Sequence, residues 1–293
     1  MMTAVLLLAH GAPERVEDVE PYLGYVRPGR PLPPRVLEEI KQRYALIGGG
    51  SPLLRCTRRQ AEALEARLSV PVYFGMRNWH PFIQDTMSRM QAGGVQRIVA
   101  ICLAPQYSKL SVGLYFRRTQ EAKNELGLQA AIVWTKSFHD HPLLIQAFHE
   151  KLAPLLPSEQ VLFTAHSPPE KILESADRYP GEAQATARAV AQRAGLAGWD
   201  FAFQSQGLTD DKWLGPTVES MIDSYQQRGV RELVLAPIGF VCDHVEILYD
   251  VDIFFRRYAE ERGIRLRRPE SLNDSPAFID ALAAVVREKL EAA

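Results

Sequence analysis

Three stretches of this chain recur, in the same order, in its second half. Val5-Leu-Leu-Leu-Ala-His-Gly-Ala-Pro-Glu14 resembles Val161-Leu-Phe-Thr-Ala-His-Ser-Pro-Pro-Glu170. Gly94-Val-Gln-Arg-Ile-Val99 resembles Gly229-Val-Arg-Glu-Leu-Val234, and Asp140-His-Pro-Leu-Leu-Ile-Gln-Ala147 resembles Asp274-Ser-Pro-Ala-Phe-Ile-Asp-Ala281. One such match arises by chance; three in register point to two similar halves. Two prolines in Pro154–Pro157 mark the break between them. The expected units are therefore residues 1–156 and 157–293, with the last helix packing back on the first unit.

Each half alternates short apolar runs with amphipathic stretches. The expected strands are Val5–Ala9, Val70–Gly75, Arg97–Ala104, Ala131–Ser137, Val161–Ala165, Asp200–Gln204, Glu232–Ile238 and Ile264–Arg268. Several are apolar throughout, as strands covered on both faces tend to be. Between them Pro33–Leu46, Thr57–Leu68, Pro81–Gly93, Glu182–Ala194 and Thr217–Arg228 carry apolar residues at helical spacing. The pattern predicts an α/β fold of two parallel sheets flanked by helices. In such sheets ligands sit beyond the carboxyl ends of the strands. His10 and His166 stand there, directly after equivalent strands, and would look into one cleft if the halves face each other.

Composition excludes other classes. A chain of 293 residues, 46% hydrophobic and 24% charged, matches one large or two ordinary globular domains. A net charge of −1 and a pI of about 6.7 argue against general nucleic-acid binding. Cys56, Cys102 and Cys242 show no CxxC spacing, so neither a disulfide framework nor a structural zinc site is expected, and a reducing cytoplasm is the natural setting. No apolar run is long enough to span a membrane. Met1-Met2-Thr3 lacks a basic leader, and the run after it reads as the first strand.

Chemistry concentrates in a few places. Beside His166, the segment Gly239-Phe-Val-Cys-Asp-His-Val-Glu246-Ile-Leu-Tyr-Asp250 follows another strand. Asp243 and Glu246 have the spacing of a helix capping box. Asp250, one turn beyond Glu246, places two like charges on one face, a small penalty that makes sense if a cation or a shared proton lies between them. His166, Glu246 and Asp250 form a ligand set suited to a divalent metal such as Fe²⁺. From Arg27 to Arg59, eight basic residues (Arg27, Arg30, Arg35, Lys41, Arg43, Arg55, Arg58, Arg59) face only Glu38 and Glu39. The zone reads either as a solvated helix face or as a grip on a carboxylated ligand. Tyr44, Tyr115 and Trp213 are core or the lining of a flat apolar slot. Ile47-Gly-Gly-Gly-Ser51-Pro lacks the phosphate-loop lysine and reads as a tight turn presenting a hydroxyl.

Together these segments resemble the ferrochelatase family nearly end to end. The likeness is carried by Ala9-His-Gly-Ala-Pro13, Tyr44-x-x-Ile-Gly-Gly-Gly-Ser-Pro-Leu53, Leu103-Ala-Pro-Gln-Tyr-Ser108 and Tyr115. In the second half it is carried by Thr164-Ala-His-Ser167, Gln204-Ser-Gln-Gly207, Trp213-Leu-Gly-Pro216 and Pro237-Ile-Gly-Phe-Val-x-Asp-His-x-Glu246-x-x-Tyr-Asp250. The resemblance implies two Rossmann-like, chelatase-type domains around a porphyrin cleft, and insertion of Fe²⁺ into the ring with release of two protons. It implies that His166 and Glu246 are the catalytic, metal-binding pair and that Asp250 lies on the metal's path. It further implies porphyrin contacts from Arg27, Arg43, Tyr44, Ser51 and Tyr115. His10 stands where relatives often have a tyrosine that approaches the metal axially, so it too is a porphyrin-side residue. Phe254 replaces a further carboxylate of some relatives.

The sequence ends at Ala293 without a cysteine-bearing extension, so no [2Fe–2S] cluster and no cofactor beyond the Fe²⁺ substrate is expected. Nothing demands a dimer. The alternatives are a cobalt or nickel chelatase for another tetrapyrrole, a non-catalytic haem-binding protein, and a two-domain binding protein of the secreted type. Between porphyrins, Arg27 and Arg30 lean toward coproporphyrin III over protoporphyrin IX, and the short Tyr22–Pro34 segment, which has no lipid-facing apolar lip, resembles that of relatives using coproporphyrin.

Overall fold

The computed structural model of the protein describes residues 2–207 and 211–291; Met1 and Ala292–Ala293, the outer ends of the expected units, lie outside them. The first half runs β1 (Thr3–Ala9), α1 (Val19–Val26), α2 (Pro34–Leu46), α3 (Leu53–Leu68), β2 (Val72–Met76), α4 (Ile83–Ala92), β3 (Arg97–Cys102), α5 (Val112–Glu125), β4 (Ala131–Thr135) and α6 (Pro142–Leu152). The second runs β5 (Gln160–His166), α7 (Tyr179–Arg193), β6 (Asp200–Gln204), α8 (Val218–Gln227), β7 (Glu232–Ala236), α9 (Val245–Leu248), α10 (Arg256–Glu260), β8 (Arg265–Arg267) and α11 (Pro276–Glu291). Short 3-10 turns join some of these, and a π-helical turn, Asp250–Phe255, lies between α9 and α10.

The two sheets have the same strand order, β2-β1-β3-β4 and β6-β5-β7-β8, and every pairing is parallel. Each order places the first strand of its half second from one edge, so the internal similarity is a repeated topology. All eight expected strands exist, Asp200–Gln204 with the expected ends and the others with shifted ones. β7 stops at Ala236 rather than Ile238 because Pro237 has no N–H to donate to the ladder. The helix expected from Thr57 begins earlier, at Leu53.

Alternation along β1 shows why the sheets are buried on both faces. Val5 and Leu7 join a central core with α6, α7 and α11, whereas Ala4, Leu6 and Leu8 join an outer core with α4 and α5. The central core also takes Val161 and Phe163 of β5 and Val234 of β7, so the inner faces of both sheets share one apolar interior. Helix α11 leaves the second half and packs against α3 and α6, closing the chain back on its first half.

Polar contacts then fix the halves relative to each other. Glu182 of α7 is buried, and its Oε2 accepts from Tyr107 N at 2.7 Å and Ser137 Oγ at 2.6 Å. Asp177 Oδ2 accepts from Lys109 N at 2.6 Å and Ser108 Oγ at 3.2 Å. Gln106, itself buried, donates to Thr186 Oγ1 at 3.1 Å. The loop after β3 is thereby held to the second half.

Candidate active site

Both histidines singled out in the sequence sit at the carboxyl ends of equivalent strands. In the parallel register Ala9 lies beside Met76 and His166 beside Gln204, and beyond β1 the pattern continues with Arg77 N donating to Ala9 O and Asn78 N to His10 O. His10 and His166 therefore occupy matching positions, but their neighbours differ.

His166 Nδ1 is 3.2 Å from Glu246 Oε2. Glu246 belongs to α9, which follows β7, the strand beside β5. Gly239 lets that loop pass close to β5: a Cβ there would lie 2.7 Å from the Cα and Cβ of Ala165. The His166 and Glu246 side chains are 40% and 32% exposed, so the pair opens to solvent within the cleft. Burial alone would lower the His166 pKa; the Glu246 carboxylate prevails and raises it above the ordinary 6.5. Burial pushes Glu246 up, yet His166 and His244 beside it hold it well below the usual carboxylate range. Glu246 is an anion throughout the physiological range.

Two features keep this pair in place. Tyr179 donates its hydroxyl to His166 O at 3.1 Å. Gln204 accepts from Thr164 Oγ1 at 2.6 Å and donates to the Glu246 carbonyl at 3.1 Å. The capping-box expectation is corrected here. Asp243 instead accepts from Ser271 Oγ at 2.7 Å and Asn273 Nδ2 at 2.9 Å, His244 occupies the cap position of α9, and the Glu246 carboxylate is turned to His166.

Asp250 opens the π-helical turn, a feature that often marks functional sites. Its Oδ2 accepts from Ser205 Oγ at 2.5 Å, with Ser205 held at a left-handed φ of 59°. Burial, with Glu246 nearby, raises the Asp250 pKa to about 6, against the pull of Ser205 and Arg43. Arg43 reaches over from α2, its Nη1 4.0 Å from Asp250 Oδ1 and its Cζ 5.1 Å from the centre of the Tyr249 ring. The two like charges expected to need a proton or a cation between them are eased by the raised pKa of Asp250 and by the arginine beside it. Among the described residues no group of three or more His, Cys, Asp and Glu side chains is disposed to hold a metal. His166 and Glu246 meet directly; Asp250 acts on them through space.

On the opposite wall His10 Nδ1 lies 3.0 Å from Gly11 O and 3.2 Å from the Tyr22 hydroxyl, and Nε2 lies 3.1 Å from Asn78 Nδ2. These partners assign the proton to Nδ1 and the lone pair to Nε2. Burial, then the Arg77 charge, lower the His10 pKa to about 4. Tyr44 and Tyr115 are both buried, Tyr44 within electrostatic reach of Glu246 and Asp250, and Tyr115 beneath the Arg77 guanidinium at 4.9 Å. Ser51 is buried too. Its oxygen accepts from Leu53 N at 3.3 Å, at the start of α3.

Arg27 caps the end of α1. Trp213 lies across Gly207, where an added Cβ would sit 2.4 Å from its ring, so it packs rather than lines a slot. In the Tyr22–Pro34 segment Tyr25 is 53% exposed and leans on Trp79 and Phe82.

The residues missed in the sequence are Tyr22, Arg77, Asn78, His244, Gln204, Ser205 and Tyr249. Arg77, Asn78 and Ser205 lie just past strand ends, the region the topology rule marks, and a search there would have found them.

Two matched parallel sheets, carrying a strand-tip imidazole against a carboxylate from the neighbouring strand's loop, define a chelatase-type fold. SirB from Bacillus subtilis, solved with Fe³⁺, has that fold: TM-score 0.65 at 13% identity, covering 99% of this chain and 96% of that one. The ferrochelatase family profile matches residues 2–290. A ferrochelatase of Acidobacterium capsulatum is 45% identical, covering 98% of this chain and 94% of its own, and a coproporphyrin III ferrochelatase of Geobacillus kaustophilus is 38% identical, covering 97% and 95%. The chain belongs to the ferrochelatase family, enzymes that insert iron into porphyrins in haem synthesis. No helix among the described residues is long and apolar enough to cross a membrane.

Proposed function

We propose that this chain inserts Fe²⁺ into free-base coproporphyrin III, in preference to protoporphyrin IX, and releases the two pyrrolic protons. The contact between His166 and Glu246 carries the reading. With Nδ1–H donating to the carboxylate, His166 has its lone pair on Nε2, the nitrogen that takes a pyrrolic proton. Glu246 then stabilises the imidazolium formed and, as a permanent anion, receives Fe²⁺. Asp250 supplies a second negative charge toward the entry side.

A metal cannot enter a flat ring whose centre is blocked by N–H groups. Binding at the periphery offsets the cost of bending it. Arg27, Arg43, Tyr44, Ser51 and Tyr115 are that periphery, with His10 on the face opposite Glu246. Two observations support coproporphyrin. Arg27 and Arg30 have no side-chain ion pair among the described residues, leaving cations for a ring with four carboxylates rather than two. The Geobacillus kaustophilus relative bears that substrate in its name. In this reading the enzyme acts as a monomer, with no cofactor beyond the Fe²⁺ substrate. The free buried thiols of Cys56, Cys102 and Cys242 suit a reducing cytoplasm.

The test is an anaerobic assay with Fe²⁺ and each porphyrin side by side. Conversion of the free-base spectrum to the metallated one is expected, faster with coproporphyrin III. His166→Ala and Glu246→Gln should each lower the rate by about 10²-fold or more. Unchanged rates in both variants would refute the roles, and equal turnover of the two porphyrins would refute the preference.

A further inference from the structure

Arg43 has two anionic claimants. Helix α2 of the first half projects it over the cleft to the second half, where its guanidinium rests 5.1 Å above the Tyr249 ring and 4.0 Å from Asp250 Oδ1. The ion pair is longer than a hydrogen bond, and the Arg43 side chain is 40% exposed while that of Asp250 is 13% exposed. A long, partly solvated pair of this kind is weak and easily exchanged. A carboxylate at the edge of a tetrapyrrole could instead take the same guanidinium through two parallel hydrogen bonds, a stronger arrangement.

We propose that Arg43 couples the two substrates by exchanging Asp250 for a porphyrin carboxylate. In the porphyrin-free protein it lies against Tyr249 and offsets the charge that would attract a divalent metal. The arriving carboxylate draws it away, and the uncovered Asp250 then recruits the cation toward Glu246. The carboxylate thus acts as a trigger as well as a grip. Because coupling is reciprocal, each substrate raises the affinity for the other by the same factor. The inference rests on the reading of Arg43 as a carboxylate grip and Asp250 as a metal-side acid. It makes Arg43 a positioning residue, acting on the metal through Asp250.

The experiment measures Co²⁺ binding to porphyrin-free protein by calorimetry for the parent chain, Arg43→Met, Asp250→Asn and the double variant. Arg43→Met should bind Co²⁺ roughly two- to fivefold more tightly, and the double variant should lose that gain. A merely structural role for Arg43 cannot tighten metal binding. In anaerobic initial-rate measurements the apparent KM for Fe²⁺ should fall as coproporphyrin rises in the parent chain, and should be independent of it in Arg43→Met.

Unchanged or weaker Co²⁺ binding in Arg43→Met overturns the coupling, as does a gain that survives Asp250→Asn. If the protein metallates porphyrin but shows no tightening, the coupling alone has failed. If Arg43→Met tightens Co²⁺ but no porphyrin is metallated, the coupling of Arg43 to Asp250 stands and the proposed reaction has failed.

Discussion

His10 provides a quantitative test of the cleft's electrostatics. Its folded pKa is lowered to about 4, chiefly by burial and then by Arg77, against 6.5 for an ordinary histidine. Between those values the unfolded chain binds a proton that the folded chain refuses, so stability falls as pH falls through this window. At pH 5 an unfolded histidine is almost wholly protonated and His10 only about one part in ten. The resulting loss relative to pH 7 is about 2 kcal/mol. His166 and His244 have raised pKa values and act in the opposite sense, contributing stability below 6.5 that is lost as pH rises through their folded values. Replacing only His10 isolates its share. Asparagine is uncharged at both pH values and still offers polar atoms toward Gly11 and Asn78.

Urea denaturation followed by tryptophan fluorescence should show the parent chain losing about 2 kcal/mol more than His10→Asn between pH 7 and pH 5. Nuclear magnetic resonance of the His10 ring should show no titration above pH 5, and Arg77→Met should move that titration upward. Equal pH losses in parent and variant would refute the argument, because they would mean that His10 protonates freely in the folded protein.

Four further outcomes follow from the geometry. The rate of iron insertion at limiting metal should climb with pH through about 6, as Asp250 ionises, and again above 6.5 as His166 loses its resting proton; Asp250→Asn should abolish the first rise. Glu182→Ala, which leaves the Tyr107 N–H and the Ser137 hydroxyl without their shared acceptor, should destabilise the protein by about 3 kcal/mol in thermal or urea unfolding. Gly239→Ala should cost about 1–3 kcal/mol and lower the insertion rate, since its Cβ would press on Ala165 and displace the loop bearing Glu246. Ser205→Ala should weaken Fe²⁺ use, seen as a raised metal KM with porphyrin KM unchanged, because Asp250 loses its hydroxyl partner.

The duplication was legible because it is written in strand sequence, and strand sequence is governed by burial on two faces. Val5 and Leu7 against Ala4, Leu6 and Leu8 could not be arranged otherwise in a sheet with helices on both sides. The His166–Glu246 pair was legible for a related reason: parallel topology brings the ends of neighbouring strands together. Three features were hidden. The π-helical turn after α9 leaves no periodic signature in six residues. The use of the Asp243 side chain depended on distant partners, Ser271 and Asn273, and at Ser51 nothing local distinguishes a hydroxyl presented to a ligand from one that also serves the next helix. Arg77 was passed over because a single cation in a turn looks solvated until burial is known.

The same duplication poses a question that the site itself answers. One fold, repeated, offers the cleft two histidines at matching strand ends, and one histidine has a raised pKa while the other is held neutral to about pH 4. The backbone cannot account for this, since both follow the first strand of their half. The difference lies in what the adjoining strands carry. Beside His166 the register sets Gln204, a neutral amide that fixes the Glu246 backbone, and the next strand's loop supplies the carboxylate. Beside His10, past the end of the equivalent strand, stands Arg77, whose buried Nη1 has no hydrogen-bond partner. Burial, with a guanidinium in place of an amide at one register position, holds one imidazole neutral to about pH 4, and one added carboxylate raises the pKa of the other. In the proposed reaction a ring lying between them would meet a proton acceptor on one face and an uncharged imidazole on the other, and that asymmetry would give metal entry and proton departure a direction.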